Sequence, residues 1–187
     1  MQAQNNVIMK PLKEFTIPFV GLKVAKHYFE YKIEQAFFEY FEYEDFNNVN
    51  VSVSVDLEKK DTLLELHFKI SGFVNVNCDL TNEPFDQVID NEFDLVVKFG
   101  EEFNDENIDI LILPHGAYEF NIQQYLYELI VLTVPIKRVH PGVNDGTLDS
   151  EILEKLEELS PKLNEDKNID KDIDPRWNTL KKLLTDK

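Results

Sequence analysis

Two runs of alternating side chains, set either side of one polar turn, restrict what this chain can fold into more than any other feature. Val49, Val51, Val53 and Val55 alternate with Asn50, Ser52 and Ser54. After Glu58-Lys59-Lys60-Asp61, Leu64, Leu66, Phe68 and Ile70 alternate in the same way. A period of two sends successive side chains to opposite faces of a strand, so each run has one apolar face and one wet face. Joined by a short polar turn, the runs predict an antiparallel hairpin covered on one side. Ser71-Gly72 reads as a bulge or bend. Phe73, Val74 and Val76 then carry the strand on to Cys78. Thr81-Asn82-Glu83-Pro84 reads as the next turn, and Asp90 to Phe99 as the next strand. Consecutive strands linked by short turns make a meander, and no strand–helix–strand alternation interrupts them.

Around this meander the sequence predicts a few further elements. Phe15 to Phe19 reads as a first strand, turned at Gly21. Ile33, Ala36, Phe37, Tyr40 and Phe41 recur at helical spacing, which predicts a helix from about Tyr31 to Tyr43 with an aromatic core-facing stripe. Gly100 to Asn107, rich in acid, reads as a solvated loop, and Ile108 to Leu113 as a short buried strand stopped by Pro114. Asn121 is a helix cap ahead of Ile122, Tyr125, Leu126, Leu129, Ile130 and Thr133. Pro135 ends that helix, because the residue before a proline avoids helical torsions. The fold class expected is α+β: a curved antiparallel sheet packed by two or three helices, followed by a helical C-terminal tail.

The tail differs from the body in charge. Residues 1–136 hold 9 Lys and Arg against 24 Asp and Glu, a net of −15; residues 137–187 hold 10 against 12, a net of −2. With Pro141-Gly142-Val143-Asn144-Asp145-Gly146 read as a flexible linker, the chain divides into a sheet body over 1–140 and a mobile tail over 141–187. Within the tail, Asp149 or Ser150 caps a helix from Glu151 to Leu159. Asp174-Pro175-Arg176-Trp177 has the form of a second helix start, an acceptor at the cap and proline at the first position. Trp177, Leu180, Leu183 and Leu184 share one apolar face of it, and so short a helix needs something to dock on.

Several function classes are excluded. A body so acidic repels nucleic acid and anionic membrane, which leaves the tail and its junction as the part fit to meet RNA. One cysteine, Cys78, rules out an internal disulfide and a four-cysteine zinc site. The absence of a signal-like start and of a long apolar run predicts a cytoplasmic protein with no membrane partner. His27, His67, His115 and His140 do not pair at metal-ligand spacing. His67 falls on the polar face of its strand, and His140 reads as an exposed loop residue beside Lys137 and Arg138. No phosphate-cradling glycine loop or nucleophile elbow occurs. Asp79 beside Cys78 is expected to raise the thiol pKa, making the cysteine a small packed residue rather than a nucleophile. The reading is therefore of a binding protein, not an enzyme, with no cofactor, no metal and no DNA partner.

Three landmarks together resemble a known family: the strand end Cys78-Asp79-Leu80-Thr81, the helix end running from Glu128 through Val131-Leu132 to Val134-Pro135, and the closing Asp174-Pro175-Arg176-Trp177 with Leu180. In their order and spacing they resemble the YceD family, the large ribosomal RNA subunit accumulation proteins, from about Leu12 to Leu184. Many members carry Cys-x-x-Cys where this chain has Cys78 and Thr81, so the metal binding suspected for some of them is not expected here. The resemblance implies a role in making or accumulating large-subunit ribosomal RNA, with precursor RNA or a basic ribosomal protein as partner. On that reading Lys137, Arg138, Asp174, Pro175, Arg176, Trp177, Lys181 and Lys182 form the candidate binding set. The acidic body suits a basic protein, and the cations of the tail suit phosphate. Two rival readings are a structural dimer or general interaction module built on exposed strand edges, and a hydrolase using Glu101, Glu102 or Asp105.

Overall fold

The structure, a computed structural model, describes residues 12–148 and 151–159. By compactness the chain forms one unit over Met1–Asp149 and another over Ser150–Lys187. In the first unit a short 3-10 turn (Lys13–Phe15) leads to β1 (Thr16–Ile17), β2 (Lys26–Glu34), α1 (Gln35–Tyr40), β3 (Asn48–Lys59) and β4 (Leu63–Asn77). Then follow β5 (Pro84–Gly100), β6 (Asn104–Asn107), β7 (Ile110–Pro114), β8 (Phe120–Asn121), α2 (Gln123–Thr133) and α3 (Pro141–Asp145). In the second unit the described residues form α4 (Glu151–Leu159), as its apolar spacing predicts.

The expected α+β class holds. One six-stranded sheet runs in the order β2-β3-β4-β5-β7-β6, and a two-stranded ribbon pairs β1 with β8. From β2 to β5 the sheet is the antiparallel meander that alternation predicts. Val49, Val51, Val53, Val55 and Leu57 are buried on β3, and Leu64, Leu66, Phe68 and Ile70 on β4. The opposite face carries polar cross-strand rows such as Asp56, His67 and Asp94. There His67 Nδ1 lies 2.6 Å from Asp94 Oδ1, on the polar face as expected.

Four local expectations are corrected. First, the stretch from Tyr31 continues β2 to Glu34 before α1 begins. His27, Phe29, Tyr31 and Ile33 alternate inward against exposed neighbours, and pairing with β3 from Lys26 to Glu34 satisfies their backbone. The period-two signal outweighs the helical one there. Second, Ser71-Gly72 is no bulge, since Gly72 pairs with Val51 on one side and Ile89 on the other without a register shift. Gly72 adopts φ 153° instead, and its missing Cβ lets the β3 backbone at Asn50 and Val51 lie close. Third, the acidic segment before Asn107 is not wholly loop. Its last residues form β6, which pairs antiparallel with β7 at the sheet edge with its acids turned to solvent. Fourth, β7 lies parallel to β5, Val96 opposite Ile110 through Gly100 opposite Pro114, so the meander ends at β5.

The core is a continuous apolar cluster between the sheet and α1 and α2. Of the predicted stripe Phe37 faces it fully and Phe41 in part, while Ala36 is exposed and the unpredicted Phe38 takes the central place. Phe38 is fully buried, with its ring 5.0 Å from Phe46 and 5.4 Å from Phe37, and Phe41 stacks on Tyr127 of α2 at 4.3 Å. Such edge-on and offset pairs add to plain area burial. Asn121 stands one residue before Ile122, the N-cap of α2, rather than at the cap itself as expected, yet its Oδ1 still accepts from the Gln123 N–H at 2.9 Å. The same side chain donates to the Leu12 carbonyl and the Thr16 hydroxyl, tying the first strand to the helix start.

Candidate functional site

The predicted binding residues at the body–tail junction come first. Lys137 is exposed and Arg138 half-buried. Asp174, Pro175, Arg176, Trp177, Lys181 and Lys182 lie outside the described residues. Arg138 is held by the turn that ends β4. Its N–H donates to Asp79 Oδ2 at 2.6 Å, its carbonyl accepts from the Asp79 N–H at 2.8 Å, and its guanidinium Nε stands 3.7 Å from Asp79 Oδ1. Lys137 points outward and Arg138 inward, so the pair is split.

His140 is likewise not the exposed loop residue expected. Its backbone N–H donates to Cys78 Sγ at 3.3 Å, its Nδ1 accepts from the Gly142 N–H at 2.9 Å, and its ring packs edge-on against Phe85 at 5.5 Å. The Gly142 contact belongs to α3, whose N-terminal turn His140 caps. The stretch Pro141–Gly146, expected as a linker, is therefore this short helix closed by Gly146 in a left-handed conformation. Proline at a first helical position and glycine just past the end are good cap signals; the Pro-Gly pair at the start masked them.

Cys78 departs from expectation in its chemistry. It is only 2% exposed, and burial raises its pKa. Hydrogen bonds to the sulfur from the His140 N–H, the Thr81 hydroxyl and the Leu80 and Thr81 N–H groups outweigh that and lower it from 9.0 to about 7. Asp79, expected to raise it, has its carboxylate engaged by Arg138. Donors converging on sulfur favour thiolate, yet a sulfur so covered offers no line of attack to a substrate. Thr81 is itself buried and supplies two of those donors. Among the described residues no group of three or more His, Cys, Asp or Glu is placed to hold a metal ion. The cluster acts as a lock, fastening the chain after α2 to the β4–β5 turn.

Sequence reasoning missed this lock because its halves lie 62 residues apart. The signal that pointed towards it was the pairing of the strand-end landmark at Cys78 with the helix end at Pro135. Those landmarks lie within the region that matches a described family: residues 66–184, more than half of the chain, match the family of the large ribosomal RNA subunit accumulation protein YceD. No curated protein and no solved structure matches the chain. With most of β4, all of β5 and α2, and both halves of the lock inside the matched span, the chain belongs to the YceD family of large ribosomal RNA subunit accumulation proteins.

Proposed function

We propose that this protein promotes the accumulation of large-subunit ribosomal RNA by binding, in the cytoplasm, a component of the assembling large subunit. Membership of a family named for that RNA carries the reading. The name describes an accumulation role rather than a reaction, and no helix among the described residues is long and apolar enough to cross a membrane. A body netting −15 supports a basic ribosomal protein as the direct partner through complementary charge. Lys137 and Arg138 at the junction, with Arg176, Lys181 and Lys182 from a separable tail over 141–187, are the cations proposed to meet precursor RNA. Catalysis is no part of the proposal.

The test is sedimentation of cell extract through a gradient, with and without nuclease. The protein should travel with large-subunit precursors, and nuclease should leave it bound to ribosomal protein. Arg176→Ala should weaken the association in a salt-dependent way if its guanidinium meets phosphate, because a lost contact releases fewer counterions. A protein that stays at the top of the gradient at low salt would sink the proposal.

A further inference from the structure

Helix α2 has two apolar stripes; the core takes all of one and only the inner side of the other. Ile122, Leu126 and Ile130 are buried. Tyr125, Leu129 and Leu132, spaced i, i+4 and i+7, form a second stripe beside it that lines a cleft of about 570 Å³. The cleft runs between α2, the middle of β5 at Asn91 to Phe93 and the β6–β7 edge. Phe93 and Tyr125 stack in its floor at 6.4 Å. Its lips are large apolar side chains held in water: Leu132 is 77% exposed, Ile108 70% and Phe103 58%. A cluster of this kind rimmed by polar groups is unfavourable unless something covers it.

The rim has one sign. Glu92, Asp105, Glu119 and Glu128 line the cleft, and no Lys or Arg does. Glu92 is held by Lys69 at 2.8 Å; the other three make no ion pair with a described residue. Burial first, and then Asp105 and Glu128, push the Tyr125 hydroxyl up to about 12, as expected where low polarity meets negative charge. Such a field repels a phosphate backbone and attracts cations.

We infer that this cleft is a docking groove for a cationic amphipathic segment of a protein partner, with apolar side chains on the stripe of α2 and Lys or Arg on the carboxylate rim. An amphipathic helix laid in an apolar groove meets both requirements at once, and complementary charge sets its orientation and speeds its capture. The inference rests on the proposed function, since basic ribosomal proteins are the partners that reading supplies, and it assigns the site that reading leaves open.

The probe is a fluorescent peptide of leucine and lysine with leucines at helical i, i+3, i+4 spacing, titrated with the full chain at low salt. It should bind, and more weakly as salt rises. The same peptide with glutamate for lysine should not bind. Asp105→Lys with Glu128→Lys, and separately Ile108→Asp with Leu132→Asp, should each weaken binding about tenfold or more, the loss of one good charged or apolar anchor. All four positions are exposed, so melting temperatures should stay at the wild-type value. Asp56→Lys with Asp61→Lys, the same charge change away from the cleft, should weaken binding less than about threefold, the screened long-range part. Equal losses in the cleft and control variants would overturn the inference, as would binding of the glutamate peptide. So would a single-stranded RNA oligomer that binds and loses affinity in the cleft variants. Sedimentation separates the two levels. If wild type and cleft variants travel equally with precursors, the groove falls and the function stands. If the peptide binds at the cleft but no variant travels with precursors, the function falls and the groove stands.

Discussion

Gly72→Ala is expected to destabilise the protein, although alanine usually improves on glycine inside a strand. In an ordinary strand the glycine costs about 0.5–1 kcal/mol through its unfolded-state freedom, so the swap would be a gain. Gly72 is not ordinary, because it has φ 153°, where an L side chain carries roughly 1–3 kcal/mol of strain. An added Cβ would also fall 2.8 Å from the Val51 Cα and closer still to the Asn50 carbonyl oxygen. Both are backbone atoms of a neighbouring strand, so no side chain can swing away, and crowding of that kind costs a further 1–3 kcal/mol or so. Subtracting the entropic gain leaves a net loss of about 3 kcal/mol. For a unit of this size that lowers the melting temperature by roughly 6–12 °C. Thermal unfolding followed by circular dichroism reads it directly. A variant that melts at or above the wild-type temperature would refute the close approach of β3 to β4 at Gly72.

Two further predictions concern the lock and the core. The folded Cys78 pKa is depressed from 9.0 to about 7, so its stabilising contribution is fully present above pH 9 and lost as pH falls through about 7. Urea unfolding of wild type against Cys78→Ala should therefore show a stability difference that grows by about 1–3 kcal/mol between pH 7 and 9; parallel pH curves would remove the thiolate from the account. Phe38→Ala opens a cavity amid Phe37, Phe46 and Tyr127 and should cost about 3–5 kcal/mol in urea unfolding, whereas a loss under about 1 kcal/mol would mean the aromatic cluster relaxes to fill the space.

What the sequence revealed was whatever depends on near neighbours. The β3–β4 hairpin and the start of α2 just after Asn121 were legible because alternation and helix-start signals act over a few residues. Where two local signals competed, at Phe29 to Ile33, the strand won because β3 supplied partners for it. The parallel neighbour of β5 was not legible. Ile110 to Leu113 reads as a buried strand whichever direction its partner runs, and β6 had to double back through an acidic segment to place it. The lock and the groove were hidden for the same reason. Cys78 takes its chemistry from His140, and the groove joins Leu132 to Ile108, pairs that no periodicity connects. The second stripe on α2 was visible as extra apolar residues, but a helix wheel alone does not say which stripe the core will take.

The ribbon of β1 and β8 bears on how the chain is made. Phe15, Ile17 and Phe19 are buried; Phe15 meets Tyr31 and Phe37 soon after, but the ribbon partners come late: Phe120 packs on Phe19, and Asn121 reaches Thr16 across 105 residues and Leu12 across 109. During synthesis at about 5–20 residues per second, this first apolar segment emerges and then waits roughly 5–20 seconds for its partner strand. The meander from β2 to β5 can form in that interval, since its strands meet across short turns. Closing the ribbon is thus the last step for the N-terminal segment, and until then Ile17 and Phe19 remain open to chaperones and to neighbouring copies of the nascent chain.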